Sequence, residues 1–149
     1  MIKKLIILIA LLPLSFSALA AQGMVNIKSS HSVNDTANKL EKVLKSKGMT
    51  IFNRVKHSQA AKNVGIDINP TELIIFGNPK IGSKLMQCAP TVAIDLPQKA
   101  LIWQDENQQV WISYNDPIYL KKRHSIEGCD VILHKVSGAL GKLTGAAAK

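Results

Sequence analysis

Hydrophobic positions change period several times along the chain, and each change marks an element. Ala37, Leu40, Val43 and Leu44 recur at helical spacing, with Lys39, Glu41, Lys42, Lys45 and Lys47 on the other face. Ser32-Val33-Asn34-Asp35 ahead of them has the spacing of a capping box, and Gly48 behind them can take the left-handed conformation that ends a helix. A strand is expected on each side, over Met24 to Lys28 and over Met49 to Val55. His57 to Asn63 is short and polar and predicts one or two helical turns closed by Gly65.

Leu73 to Phe76 is apolar without alternation, which predicts a third strand covered on both faces. It stops at Gly77-Asn78-Pro79, where Asn78 is placed to cap a helix and Pro79 to open it. Ile81, Leu85 and Cys88 share one face of that helix, and Pro90 terminates it. Thr91 to Asp95 is expected to be a short strand or an extended link. Ala100 to Trp103 and Val110 to Tyr114 are aromatic and β-branched segments around the polar Asp105-Glu106-Asn107-Gln108, a hairpin pattern. Glu127 to about Leu143 predicts a third main helix, followed by a loose tail from about residue 144. The order is β-α-β-β-α-β-β-α, an α/β (α+β) chain expected to fold as a compact two-layer sandwich of a small sheet and about three main helices.

The first 20 residues stand apart. Lys3 and Lys4 precede an apolar run from Leu5 to Phe16, and Ala18-Leu19-Ala20 supplies the small residues a signal peptidase accepts. The run is shorter than the roughly 20 residues a membrane helix needs, so the expectation is a cleaved signal over 1–20 and export to the periplasm of a Gram-negative type cell, with no stable membrane insertion afterwards. Removing residues 1–20 from the 149 leaves 129, enough for one domain over 21–149. Two lysines leave with the signal, so the formal charge falls from +9 to +7. Export and the scatter of the basic residues argue against nucleic acid as a partner and for a solvated surface.

The candidate chemistry is sparse. His57 follows a strand end and is the best candidate general base, with Asp116 to orient it and Tyr114 and Asn115 to add hydrogen bonds if the strand ends meet. Gly77 and Asn78 head a helix whose free backbone donors suit a small anion, with Lys80 and Lys84 near in sequence and Arg123-His124 as further positive charge. The same residues have plain structural uses as caps, turn formers and core aromatics. There is no phosphate-binding glycine motif. His124, Cys129 and His134 are five residues apart and point about 140° from one another on a helix, so no metal site is expected. No cofactor is implied. Cys88 and Cys129 are an even pair in an exported chain, which points to a disulfide, with two buried thiols as the alternative.

The segment from His57 through Glu72-Leu73-Ile74-Ile75-Phe76-Gly77-Asn78-Pro79, then Leu85-Met86-Gln87, Ala89-Pro90 and Trp111 through Tyr114-Asn115-Asp116-Pro117, resembles the domain of unknown function 302 family. The resemblance covers nearly all of the mature chain. It implies a compact two-layer α/β domain, often found alone and self-associating, and it implies no activity. Members it resembles commonly lack the cysteine pair. Three functional classes follow: a periplasmic domain binding a small molecule or anion; a homodimeric structural or protein-interaction module; and an enzyme using His57 with Asp116.

Overall fold

A computed structural model describes residues 21–149, and the expected signal over 1–20 lies outside the described residues. Strand β1 (Met24–Ser29) leads into α1 (Val33–Ser46), β2 (Thr50–Val55), the short α2 (His57–Asn63), β3 (Thr71–Gly77) and α3 (Pro79–Cys88). After a 3₁₀ turn over Pro90–Ile94 come β4 (Gln98–Gln104), β5 (Val110–Asn115), α4 (Pro117–Arg123) and α5 (Asp130–Ala147). The strands form one antiparallel sheet in the order β1-β5-β4-β3-β2. Thus β1 and β2 occupy opposite edges, and α1 carries the chain across the whole sheet between them.

Local sequence explains most boundaries. Ser32 Oγ accepts the Asp35 backbone N–H at 3.1 Å and donates to the Asp35 carboxylate at 2.8 Å, so two polar groups at the start of α1 satisfy each other. At its end Gly48 has φ +70°, and the N–H groups of Gly48 and Met49 reach back to the carbonyls of Lys45 and Leu44. That closure needs a residue free of Cβ strain in the left-handed region. Asn78 caps α3 through its side-chain oxygen and the Lys80 N–H, 3.0 Å apart, with Pro79 as first helical residue.

Packing divides into two clusters. In the larger, Ile74, Phe76, Ala100, Ile102 and Ile112 of the sheet meet Ala37, Leu40 and Leu44 of α1 and Leu140 and Leu143 of α5. In the smaller, Leu85, Val92, Leu120 and Ile126 surround Leu133, near the start of α5. Helix α5 is therefore a shared spine, with its first half in one cluster and its second half in the other.

Four expectations change. Residues 91–95 lie in the 3₁₀ turn and its exit rather than in a strand, because Pro90 supplies a helical φ at the first position. The C-terminus is no loose tail: α5 continues to Ala147, and Ala147 and Ala148 are buried in the larger cluster. Helix α4 was not expected; Asp116 caps it at the Ile118 N–H and Pro117 opens it. Finally, β3 is buried on one face only. Glu72, Ile74 and Phe76 point into the core, while Leu73 and Ile75 lie half-buried on the opposite face beside Leu101 of β4.

Candidate functional site

Between the two clusters the chain leaves a cleft of about 640 Å³. Its floor is Phe76 from β3, Leu85 from α3 and Leu140 from α5, all buried. Ile81 and Met86 form the α3 wall, and Val136, Ala139 and Leu143 form the α5 wall. Leu96 and Pro97 close a third side. Gly77-Asn78-Pro79 stands at one end, and Phe52 and Val131 stand at the rim, 51% and 83% exposed. The size and apolar lining are those of a small-molecule site, within the usual range of about 300–1,000 Å³.

The cleft exists because α3 cannot reach the sheet. Leu85 clusters with Val92 and Leu133, so the helix packs chiefly on the 3₁₀ turn, and the cleft lies between it and the second half of α5. Two fasteners hold that arrangement. Cys88, at the end of α3, and Cys129, at the cap of α5, are at disulfide distance and joined. His124, at the end of α4, lies with one ring nitrogen 2.6 Å from Asp95 Oδ2 and the other 3.2 Å from Thr91 Oγ1. Arg123 Nε is 3.4 Å from the same Asp95 oxygen, and Lys99 Nζ donates to the Asp95 and Pro97 carbonyls at 3.0 and 3.1 Å. These contacts tie α4 and β4 to the segment that supplies Leu96 and Pro97.

The structure brings some expected site residues together and separates others. Gly77 and Asn78 line the cleft, but the Asn78 side chain is engaged by the Lys80 N–H, and Lys80 itself lies on the exposed first turn. His57 does not meet them. β2 runs from Thr50 opposite Gly77 to Val55 opposite Leu73, and Ser58 Oγ binds the Thr71 N–H, so His57 stands at the far end of β3. Six residues of strand separate the two ends, about 20 Å at ~3.3 Å per residue. Asp116 lies at the Gly77 end, since Asn115 pairs with Met24 and Tyr114 with Ala100, so His57 and Asp116 are at opposite ends of the sheet and form no acid–base pair. Asp116 instead caps α4 and accepts from Ser137 Oγ at 3.4 Å. Tyr114 is buried against α5; burial raises its hydroxyl pKa, the nearby Thr144 side chain acts the other way and the Asp116 charge adds to the rise. Asn115 is exposed, and Arg123 is held by Asp95.

His124, considered only as a metal ligand or a positive charge in the sequence, is the centre of the Asp95–Thr91 contacts. Among the described residues no group of three or more His, Cys, Asp or Glu is placed to hold a metal ion. No helix among them is long and apolar enough to cross a membrane.

The class defined by this geometry is an antiparallel α+β sandwich with a deep apolar cleft beside its sheet. The chain belongs to the domain of unknown function DUF302 family, whose profile matches residues 25–143. It is 43% identical over 123 residues to the fluoride-specific ion channel FluC 1 of Brucella suis biovar 1 (strain 1330), covering 82% of this chain and 48% of that protein. It is equally 43% identical over 123 residues to the fluoride-specific ion channel FluC 2 of Brucella melitensis biotype 1, covering 82% of this chain and 46% of that one. The chain thus spans about half the length of the curated relatives it matches. The crystal structure of an uncharacterized conserved protein DUF302 from Bacillus stearothermophilus superposes with a TM-score of 0.68 at 21% identity, over 86% of this chain and 97% of that one, a likeness of fold.

Proposed function

We propose that this chain is an exported binding domain that holds a small, largely apolar molecule in the cleft between α3 and α5. The observation that carries the reading is the cleft itself: about 640 Å³, floored by Phe76, Leu85 and Leu140. A void of that size with apolar walls is costly to leave facing water, and burying a ligand's apolar surface there is worth about 25 cal/mol per Å² before the costs of association. The signal-like start and the Cys88–Cys129 pair support an oxidising, extracytoplasmic setting.

The match to about half of proteins named as fluoride-specific ion channels supports a place for such a domain beside a membrane transporter. It does not support fluoride as the occupant of this cleft, because apolar walls offer a small hydrated anion little to replace its water. The enzyme reading loses its support with the separation of His57 from Asp116.

Native mass spectrometry of the protein purified from its own periplasm tests the proposal. A retained small molecule is expected, and Ala139→Trp, which fills the cleft from the α5 wall, is expected to lose it while the fold persists. A wild-type protein with no adduct and no uptake of an apolar fluorescent dye would sink the proposal. Self-association is the second reading, favoured by Leu73, Ile75, Leu101, Trp103 and Trp111, which lie half-buried on the sheet face away from α1 and α5. The same spectra give the oligomeric state.

A further inference from the structure

The charged side chains around the cleft carry the reading one step further. Of the residues that line it, Lys84 and Lys135 bear charge, and none is Asp or Glu. They stand on opposite walls, Lys84 on α3 and Lys135 on α5. The cap of α5 meets α3 beside Lys84, with Cys129 Sγ 3.7 Å from the Lys84 carbonyl oxygen, and Lys135 follows less than two turns along α5. Both lysines are exposed, and neither takes part in a salt bridge among the described residues, although Lys45, Arg54, Lys121 and Arg123 all do. Two cations without a carboxylate partner at the lip of an apolar trough form a surface with one complement: an apolar body that ends in negative charge.

We propose, resting on the apolar-ligand reading above, that the occupant is a single-chain amphiphile with an anionic head, its aliphatic chain in the cleft and its carboxylate or phosphate between Lys84 and Lys135. The long lysine stems can lie along the apolar rim while their ammonium groups stay in water, so the head need not be dehydrated. A head held at such a lip is screened by salt, whereas a chain between Leu85, Val136 and Leu140 is not. Selectivity for charge should therefore depend on ionic strength, and binding of the chain should persist.

The probes are tetradecanoate, tetradecanol and tetradecyltrimethylammonium, each below its micelle-forming concentration, displacing a neutral apolar dye from the folded protein. Tetradecanoate is expected to bind about ten-fold more tightly than the alcohol at low salt, equivalent to about 1.4 kcal/mol, and the cation more weakly than either. In the Lys84→Gln/Lys135→Gln double variant the carboxylate should lose that advantage while the alcohol binds as before. Circular dichroism checks that the variant is folded. Equal affinity for carboxylate and alcohol, or a double variant with unchanged preference, overturns the assignment of the head and leaves the cleft reading standing. No displacement by any of the three overturns both. Flotation with phosphatidylglycerol vesicles separates the sources of the head: capture by vesicles without binding of free tetradecanoate would mean a bilayer surface, against the proposal.

Discussion

In the larger cluster Ile74, Ile102 and Ile112 meet Leu40 and Leu44, all fully buried, and the elements that carry them are knitted into a sheet of paired strands with α1 and α5 laid across it. The smaller cluster also buries Leu85, Val92 and Leu133, but its elements are a ten-residue helix, a 3₁₀ turn, a seven-residue helix and the first half of α5, with no strand among them. It is fastened at points: the Cys88–Cys129 bridge, the His124 contacts and the caps at Asn78 and Asp116. One half of the molecule gains order from continuous burial and the other from a few specific bonds. The cleft lies along the seam, so its width is set by the half that is easier to move.

The strongest way to break this comparison is to remove the bridge. By the chain-entropy model a link across 41 residues stabilises the folded chain by about 4 kcal/mol. Cys88→Ser/Cys129→Ser is expected to lower stability by up to that amount in urea, with a corresponding loss of ligand adduct. Hydrogen exchange decides where the loss falls: amides of α3 and the 3₁₀ turn should lose protection at native conditions, while those of β3, β4 and β5 should keep theirs. Equal loss in both halves would show one cooperative unit and dissolve the distinction.

His124→Ala is a smaller perturbation of the same half. The side chains of His124 and Asp95 are 6% and 11% exposed, and removing the imidazole leaves a nearly buried carboxylate paired with Arg123, with Lys99 on the Asp95 carbonyl. A cost of about 2 kcal/mol is expected, below that for a fully buried pair because Arg123 stays in reach. Urea midpoints measure the loss, and His124→Gln, which can still donate to Asp95, should recover part of it. No change in midpoint would mean that burial alone holds the turn against α4.

The contrast also accounts for what was legible in the sequence. The larger half follows local rules: the Ala37-Leu40-Leu44 stripe and the Ser32 and Gly48 boundaries could be read because each depends on neighbours in the chain, and in the smaller half the Asn78-Pro79 start is local in the same way. Asp116-Pro117 repeats the Asn78-Pro79 signal, a capping side chain followed by proline, but the seven-residue helix it opens is too short to show a hydrophobic period. Ala146 to Ala148 looked like a tail, yet alanine is the best helix former, and three of them can continue a helix whose end packs on the core. The seam was beyond such rules. His57 and Asp116 both follow strands, and nothing local says that β2 and β5 end at opposite sides of the sheet. Lys84 and Lys135 share a cleft only because Leu85 and Leu133 share a cluster, 48 positions apart in sequence.

The smallest expected effect probes the larger half, through Tyr114. Its hydroxyl is buried against α5, and burial is the main cause that holds its pKa above the ordinary value of 10.0. An acid whose folded pKa is raised is favoured in its neutral form by the fold, so its contribution is fully present below the unfolded pKa. As the pH climbs past about 10 the unfolded chain releases the proton first, binds fewer protons than the native state, and stability falls until the folded pKa is passed. Tyr114→Phe removes that proton and keeps the ring in the larger cluster, so a change near neutrality of under about 1 kcal/mol is expected. Between pH 9 and 11 the wild type should lose more stability than the variant, so its urea midpoint should fall relative to the variant's. Parallel decline of the two midpoints would mean that Tyr114 reaches water before global unfolding, and the sheet half would then be as yielding along α5 as the half across the cleft.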